Sequence, residues 1–291
     1  MANEKLPLVS IICVCYQHKA YITNALRSVV QQTYPHCELI IVDNGSTDGS
    51  VEEIKFFLTQ HPDAQAIFFE QTKTYPAAFN EGLKRSKGDY IIDLAGDDML
   101  LSQRAEWAVE KMQEEEGLGV QFTDAILISQ EGHYLGLHSD AYPHESIPQG
   151  MIYEYLLSRY FLLAPTMCFR RKMLEEVGGY DASLHFEDFD TWVRTAQRWK
   201  YQYIPIPTVR RRIHDKSLSQ AQKKGKNAHL MDVYKVCCKA FLQHTYKKEE
   251  RALLQRIRYE MGHALRQGRW AIAGRYLILS LQILLRYHKM S

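Results

Sequence analysis

Four apolar, β-branched runs recur about every 25–30 residues and constrain this chain more than any other feature. They are Leu8–Cys15 (LVSIICVC), Glu38–Val42 (ELIIV), Ala66–Glu70 (AIFFE) and the run that opens at Tyr90 (YIIDL). Their hydrophobicity is continuous rather than alternating, as expected of strands covered on both faces. Between them the period changes. Ile22, Ala25, Leu26, Val29 and Val30 fall on one helical stripe within Tyr21–Gln32, and Pro35 ends it. Val51, Ile54, Phe57 and Leu58 make a second stripe, and Pro76–Lys87 a third helix with proline in its first turn. Strand and helix in alternation imply right-handed crossovers and an α/β fold: a mostly parallel sheet with helices on both faces.

Sheets of this kind bind ligands beyond the carboxyl ends of their strands. Three polar clusters sit at such ends: Cys15-Tyr16-Gln17, Asp43-Asn44 and Asp97-Asp98. They should meet along one rim. Asp97 and Asp98 follow a small Ala95-Gly96 step and precede an expected helix start at Ser102. Two adjacent carboxylates repel each other, and oxygen ligands suit Mg²⁺ or Mn²⁺, which complete their shell with water and substrate phosphates. Capping of the following helix is the alternative. No G-x-G-x-x-G follows the first strand, which argues against a dinucleotide-dependent oxidoreductase.

The second half reads as a strand over Gly119–Ser129, a loop over residues 131–150 that is a candidate acceptor wall, and a helix over Met151–Leu163. A short strand over Ala164–Phe169 and a helix over Arg171–Val177, stopped by Gly178-Gly179, come next. Glu187, Asp188 and Asp190 then open a helix bearing Trp192, Val193 and Ala196; capping of that helix and chemistry are both open to them. A last strand, Tyr201–Ile206, leads to the basic stretch Val209–Ser219.

Charge divides the chain. Residues 1–209 hold 17 Lys+Arg against 29 Asp+Glu, a balance of −12, whereas residues 210–291 hold 19 against 5, or +14. The basic part carries helical stripes at Leu254, Ile257, Met261 and Leu265 and at Trp270, Ala273, Leu277, Leu281 and Leu284, parted by Gln267-Gly268. That predicts a helical hairpin packed on the sheet. With Arg266, Arg269, Arg275, Arg286 and Lys289 around its apolar faces, it leaves peripheral membrane binding open beside a purely structural role. Six scattered cysteines without a C-x-x-C pair read as reduced, cytosolic thiols. The N-terminus lacks a signal-peptide core, and Tyr276–Leu285 is about half the length that spans a bilayer.

Four ordered blocks carry a resemblance. VSIICVCYQHKAYITNALRSVVQQTYPHCELIIVDNGSTDGS, AAFNEGLKRSKGDYI, GGYDASLHFEDFDTWVR and RRRIHDKSLS are together similar to the family 2 glycosyltransferases of GT-A fold, over roughly residues 7–219. The resemblance implies a nucleotide-binding half (1–100), an acceptor half (101–219) and a basic helical extension (220–291). It implies single-sugar transfer from a nucleotide-diphosphate sugar, a UDP-sugar first among them, with inversion at the anomeric carbon. The acceptor would be a glycan or lipid-linked glycan in bacterial surface polysaccharide synthesis, at the cytoplasmic face of the plasma membrane. By resemblance Asp43 would bind the base beside Cys15, Tyr16 and Gln17, and Asn80 would lie near ribose or diphosphate. Asp98, with Asp97 and His214, would hold Mn²⁺ or Mg²⁺; Asp97 and Arg212 would contact the donor; and Asp188 would be the catalytic base. A nucleic-acid partner is not expected. The chain departs from the family pattern at Ala95, Val14-Cys15-Tyr16-Gln17, Asn44, Thr72, Thr74 and Phe79. A catalytically silent nucleotide-sugar binder is the competing reading.

Overall fold

The computed structural model describes residues 6–142, 146–159, 161–214 and 227–289. Strand β1 (Val9–Cys15) is wholly buried and central, paired in parallel with β2 (Cys37–Asp43) and with β4 (Tyr90–Ala95); β3 (Gln65–Phe68) lies outside β2. Helices α1 (Ile22–Val30), α2 (Ser50–Gln60) and α3 (Tyr75–Arg85) make the crossovers. Alternate residues of β1 face opposite layers. Val9, Ile11, Cys13 and Cys15 pack with α1, α2 and α4 (Arg104–Glu114), while Ile12 and Val14 join the layer that contains α3. This explains the unbroken apolar runs. Gly82 of α3 lets that helix lie close to the sheet, since a Cβ there would meet Ile12 at 2.5 Å.

Past β4 the sheet becomes mixed. Its order is β3-β2-β1-β4-β8-β6-β9-β5, with β8 (Cys168–Arg170) antiparallel to both β4 and β6 (Leu118–Ile128), and β6 parallel to β9 (Lys200–Arg212). Helices α5 (Tyr153–Ser158), α6 (Arg171–Glu176) and α7 (Asp188–Thr195) cover this side.

Several boundaries differ from expectation. A two-residue strand, β5 (Met99–Leu100), pairs with β9 before α4 begins, so the helix expected at Ser102 starts at Arg104. The expected loop over 131–150 contains β7 (Tyr134–Leu137), paired with β6, and a 3-10 turn over His138–Asp140. The helix expected over Met151–Leu163 ends at Ser158, and Phe161, Leu162 and Leu163 enter the core as irregular chain; three consecutive apolar residues have no period to tell helix from buried loop. Ala164–Thr166 is a 3-10 turn rather than strand. β9 runs on through Pro205 and Pro207 to Arg212, where register shifts opposite Thr123–Ala125 absorb the prolines. Val30 is exposed rather than on the buried stripe of α1.

Three helices close the chain: α8 (Asn227–Gln243), α9 (Lys247–Arg266) and α10 (Trp270–Lys289). Gly268, at φ +69°, turns α9 into α10 where Gln267-Gly268 was expected to. Their buried residues, among them Leu230, Val236, Leu253 and Tyr276, belong to the same apolar cluster as Ile12, Ile40 and Ile91 of the sheet. The C-terminal stretch of the 209–219 segment, Asp215–Ser219, and Lys223-Lys224-Gly225-Lys226 lie outside the described residues, as does the expected boundary at 219/220. The stripe foreseen on α10 is the outward one. Ala273 is buried, but Trp270, Leu277, Leu281 and Leu284 are exposed, and Ile272, Tyr276, Leu279 and Ile283 make the packed face. In a helix this apolar all round, the pattern does not say which side is covered.

Candidate active site

Register builds the rim. Cys15 stands opposite Asp43, and Val14 opposite Ala95, so β1, β2 and β4 end side by side. The amide of Asn44 donates to the Cys15 carbonyl at 2.8 Å, and the Asn44 side chain grips both the amide and the carbonyl of Lys73. Gln17 takes φ +59°, a conformation uncommon for a residue with a Cβ. It is held there because its amide donates to Ser46 Oγ and its side chain exchanges hydrogen bonds with Thr47. Asp43 is fully buried. Its Oδ1 accepts from the Ser46 amide at 2.9 Å, whereas Oδ2 is buried without a hydrogen-bond partner. An unpaired buried acceptor is costly and is expected where a ligand donor completes it. Tyr16 is exposed beside this pocket, but the Cys15 thiol is buried, and burial pushes it up to about 12.

Asp97 and Asp98 lie in the turn after β4, both buried. Asp98 Oδ1 accepts the Arg212 amide at 2.8 Å, and His214 Nε2 stands 2.9 Å from Asp97 Oδ2. The end of β9 thus reaches more than a hundred residues back to meet this turn. Burial, and then the charge of Asp97, hold the Asp98 carboxyl well above the usual carboxylate range. Burial acts on Asp97 too, but the His214 hydrogen bond and the charges of His18 and His214 outweigh it and hold Asp97 low. The Arg212 guanidinium is a clamp: Nε donates to the Asp97 carbonyl, one terminal nitrogen donates to the carbonyls of Ser129 and Gln130, and its plane lies 4.6 Å over the Tyr21 ring. Expected as a donor contact, it has those nitrogens committed to backbone.

Among the described residues no group of three or more His, Cys, Asp or Glu side chains is arranged to hold a metal ion. The donor set nevertheless has the chemistry of a hard divalent-cation site. Asp98 is a buried acid pressed by a second acid, a combination that a cation relieves and water does not reach.

Asp188 begins α7 and is half-buried, its Oδ1 accepting the next amide, from Phe189, at 2.6 Å. Burial raises its pKa, while hydrogen bonds from the Phe189 amide and its own amide, and the charges of Arg211 and Arg256, pull it down. Arg211 acts on Asp98 in the same sense, so one arginine of β9 feels both acids. Asn80, expected near the donor, is instead bound to the backbone of Tyr180 in both directions, at 2.7 and 2.9 Å. Its amide fixes the Gly179-Tyr180 loop, where Gly179 is at φ +76° and a Cβ would meet Asn80 Oδ1 at 2.6 Å.

Sequence reasoning missed three participants. His18 lies 3.8 Å from Asp97 Oδ2 by its Nε2; it directly follows the Tyr16-Gln17 cluster, which was a usable signal. Asp93 is an acid within a buried strand, a second signal left unused. Tyr75 and Tyr180 donate to its two oxygens at 2.7 and 3.0 Å, and burial pushes it up to about 7. Asp93 in turn raises Glu187, next to Asp188, after burial and Asp188 itself. Arg211 is the third, hidden because its strand was expected to end earlier.

A mostly parallel sheet with buried acids at the ends of β2 and β4, beside the end of β1, and a further acid on the antiparallel side is the arrangement of a GT-A fold. Residues 10–178 match the model of glycosyl transferase family 2, and the chain belongs to that family, a glycosyltransferase acting on nucleotide sugars. It is 28% identical over 193 residues to TuaG of Bacillus subtilis, a glycosyltransferase provisionally assigned to teichuronic acid biosynthesis, covering 66% of this chain and 73% of that protein. Residues 1–349 of S. aureus TarS in complex with UDP-GlcNAc superpose with a TM-score of 0.66 at 15% identity, over 86% of this chain and 71% of that one; this chain spans 43% of the longer TarS chain. The mannosyltransferase PcManGT from Pyrobaculum calidifontis, in complex with GDP-Man and Mn²⁺, gives 0.63 at 16% identity over 98% of this chain and 83% of that one. At such identities the solved structures support the fold.

Proposed function

We propose that the protein transfers a single sugar, with inversion, from a nucleotide-diphosphate sugar to a glycan or lipid-linked glycan acceptor in bacterial surface polysaccharide synthesis. The rim shared by Asp43 and Asp97-Asp98, with Asp188 under the charge of the same Arg211 as Asp98, carries the reading. Asp43, with its free buried oxygen, suits a base N–H, and Tyr16, Gln17 and the backbone of Cys15 form the wall beside it. UDP is the favoured nucleotide, in keeping with TarS; the surface-polymer context is in keeping with TuaG.

Asp188 acts as general base. A sugar hydroxyl becomes a sufficient nucleophile as its proton passes to the Asp188 carboxylate; its oxygen bonds the anomeric carbon while the bond to the diphosphate breaks, so configuration inverts without a covalent enzyme intermediate. The raised pKa of Asp188 makes it a stronger base than an ordinary carboxylate. Asp98, with Asp97 and His214, would hold Mn²⁺ or Mg²⁺, which when bound supplies positive charge to the departing diphosphate. Arg212 positions Asp97, Asp98 and the 129–130 turn, and Asn80 positions the Tyr180 loop, so both serve the donor site through other residues. We read residues 1–219 as the catalytic unit and 220–291 as an extension that supports its acceptor side.

The site is placed at the cytoplasmic face of the plasma membrane, with peripheral contact through the basic helices. The six cysteines are all free, in keeping with that placement; no helix among the described residues is long and apolar enough to cross a membrane. Thermal melts with nucleoside diphosphates and UDP- or GDP-sugars, each with and without Mn²⁺, test the reading, since a ligand of the native state raises the melting temperature. A metal-dependent rise with one nucleotide, followed by release of that diphosphate on turnover, is expected. No rise and no donor hydrolysis would put the silent binder in its place.

A further inference from the structure

Helix α10 is apolar on two opposite sides, and the protein covers one of them. Ile272, Tyr276, Leu279 and Ile283 pack into the core. On the far side Trp270, Leu277, Ile278, Leu281, Leu284 and Leu285 are exposed, between 38% and 73%. At 100° per residue these six, with Gly274 among them, fall in one arc of about 120°, and from Trp270 to Leu285 that arc carries no polar residue. Nothing stands within 4 Å of a Cβ built at Gly274, so the stripe is open at its middle. An exposed apolar strip of this length marks a docking surface.

We infer that this outward face of α10 is an interfacial docking surface for an anionic phospholipid bilayer, lying in the plane of the headgroups. Three observations select that occupant. The helix contains no Asp or Glu, Arg275 flanks the stripe, and the segment from residue 210 onward carries +14, so its field attracts anionic headgroups and opposes a second copy of the same basic face. Trp270, the most exposed of the six, stands at one end of the stripe, where an indole suits the boundary between headgroups and acyl chains. The opposite face is fixed in the core by Tyr276 and Ile283, both fully buried, so the helix can lie on a bilayer but cannot cross one without unfolding the protein. From Trp270 to Leu285 the stripe gives a contact about 24 Å long. The surface deepens the peripheral-membrane part of the function proposed above and rests on it.

Flotation of the full-length protein with vesicles of phosphatidylcholine plus phosphatidylglycerol, against phosphatidylcholine alone, tests it. Wild type should float with the anionic vesicles, and Leu277→Glu with Leu281→Glu should reduce bound protein about tenfold or more while leaving donor hydrolysis and the melting temperature unchanged. If that pair unfolds the protein, Trp270→Ala and Ile278→Ser, each trimming an exposed side chain, should each reduce flotation several-fold. Equal flotation of wild type and variants, or no flotation of wild type, overturns the inference. So does a concentration-dependent dimer that the same variants dissolve, which would give the face to a second copy. Donor hydrolysis reads separately: its failure would count against sugar transfer and leave the vesicle result standing.

Discussion

The donor rim and the acceptor side of the sheet are assembled by different means. At the rim, the β1–β2–β4 ladder sets Cys15 against Asp43 and Val14 against Ala95, and hydrogen bonds of Asp43, Gln17 and Asn44 to neighbouring loops are added to a register the backbone has already set. On the acceptor side single side chains, rather than a ladder, tie separate elements together. Asn80 holds Tyr180, Asp93 joins Tyr75 to Tyr180, Lys239 of α8 binds both Asp181 and Asp190 at 2.5 Å, and Arg194 ties Asp190 to the Val177 and Gly179 carbonyls. A ladder tolerates the loss of one side chain, because backbone hydrogen bonds carry its register. A bridge does not, because removing one partner leaves the other buried and unpaired.

The sharpest break of that comparison is at Asp188, at the start of α7, whose carboxyl feels the same Arg211 charge as Asp98 of the rim. Asp188→Asn keeps the shape and should retain nucleotide-induced thermal stabilisation while transfer falls about 10²–10⁴-fold. Near-normal turnover would remove it as the base. Asp98→Ala should abolish the part of donor stabilisation that depends on Mn²⁺ and should cost about 1–3 kcal/mol of stability, because it leaves the Arg212 amide unpaired; a melt series with and without metal reads both.

Within the rim, Asp43→Ala should weaken nucleotide binding about tenfold to a hundredfold, because it removes the Oδ2 that no protein group uses, and should cost about 1 kcal/mol of stability through the Ser46 amide that Oδ1 accepts. On the acceptor side the order should reverse. Asn80→Ala should cost about 1–3 kcal/mol of stability by freeing both groups of Tyr180, and should lower kcat more than it changes nucleotide binding. If Asn80→Ala instead raises the donor Kd with stability unchanged, Asn80 is a donor contact and the contrast fails there.

The smallest effect is a pH slope. Asp93 is raised to about 7 in the folded protein, so the folded state holds a proton that the unfolded chain has released. Its contribution is present in full below about pH 4 and is lost as pH rises through about 7. Asp93→Asn, able to pair with both tyrosines and unable to ionise, should flatten the fall in melting temperature across that window. A slope identical to wild type would place the titration elsewhere.

The comparison also explains what could be read in advance. Asp43, Asp97 and Asp98 were legible because each ends a buried strand, and a parallel sheet gathers its strand ends on one side. Asp93 was visible as an acid in an apolar run, but its partners Tyr75 and Tyr180 were not, since nothing local to either tyrosine points to strand β4. Arg212 and Asn80 were expected to lie near the donor, but their hydrogen bonds to carbonyls and amides far away in the chain had no local sign.

By itself the sequence determined the alternation of strands and helices, the parallel start of the sheet, the acids at its rim and the basic helical close, because each follows from local period, local composition or charge. Only the tertiary structure decided that β8 enters the sheet antiparallel, that β9 extends to bring Arg211, Arg212 and His214 beside Asp97 and Asp98, and which face of α10 is left outside. Those outcomes are settled by which surfaces fit together and how buried polar groups find partners across the chain. Neither quantity has a local signature: an apolar run states that it will be buried, and packing alone states against what.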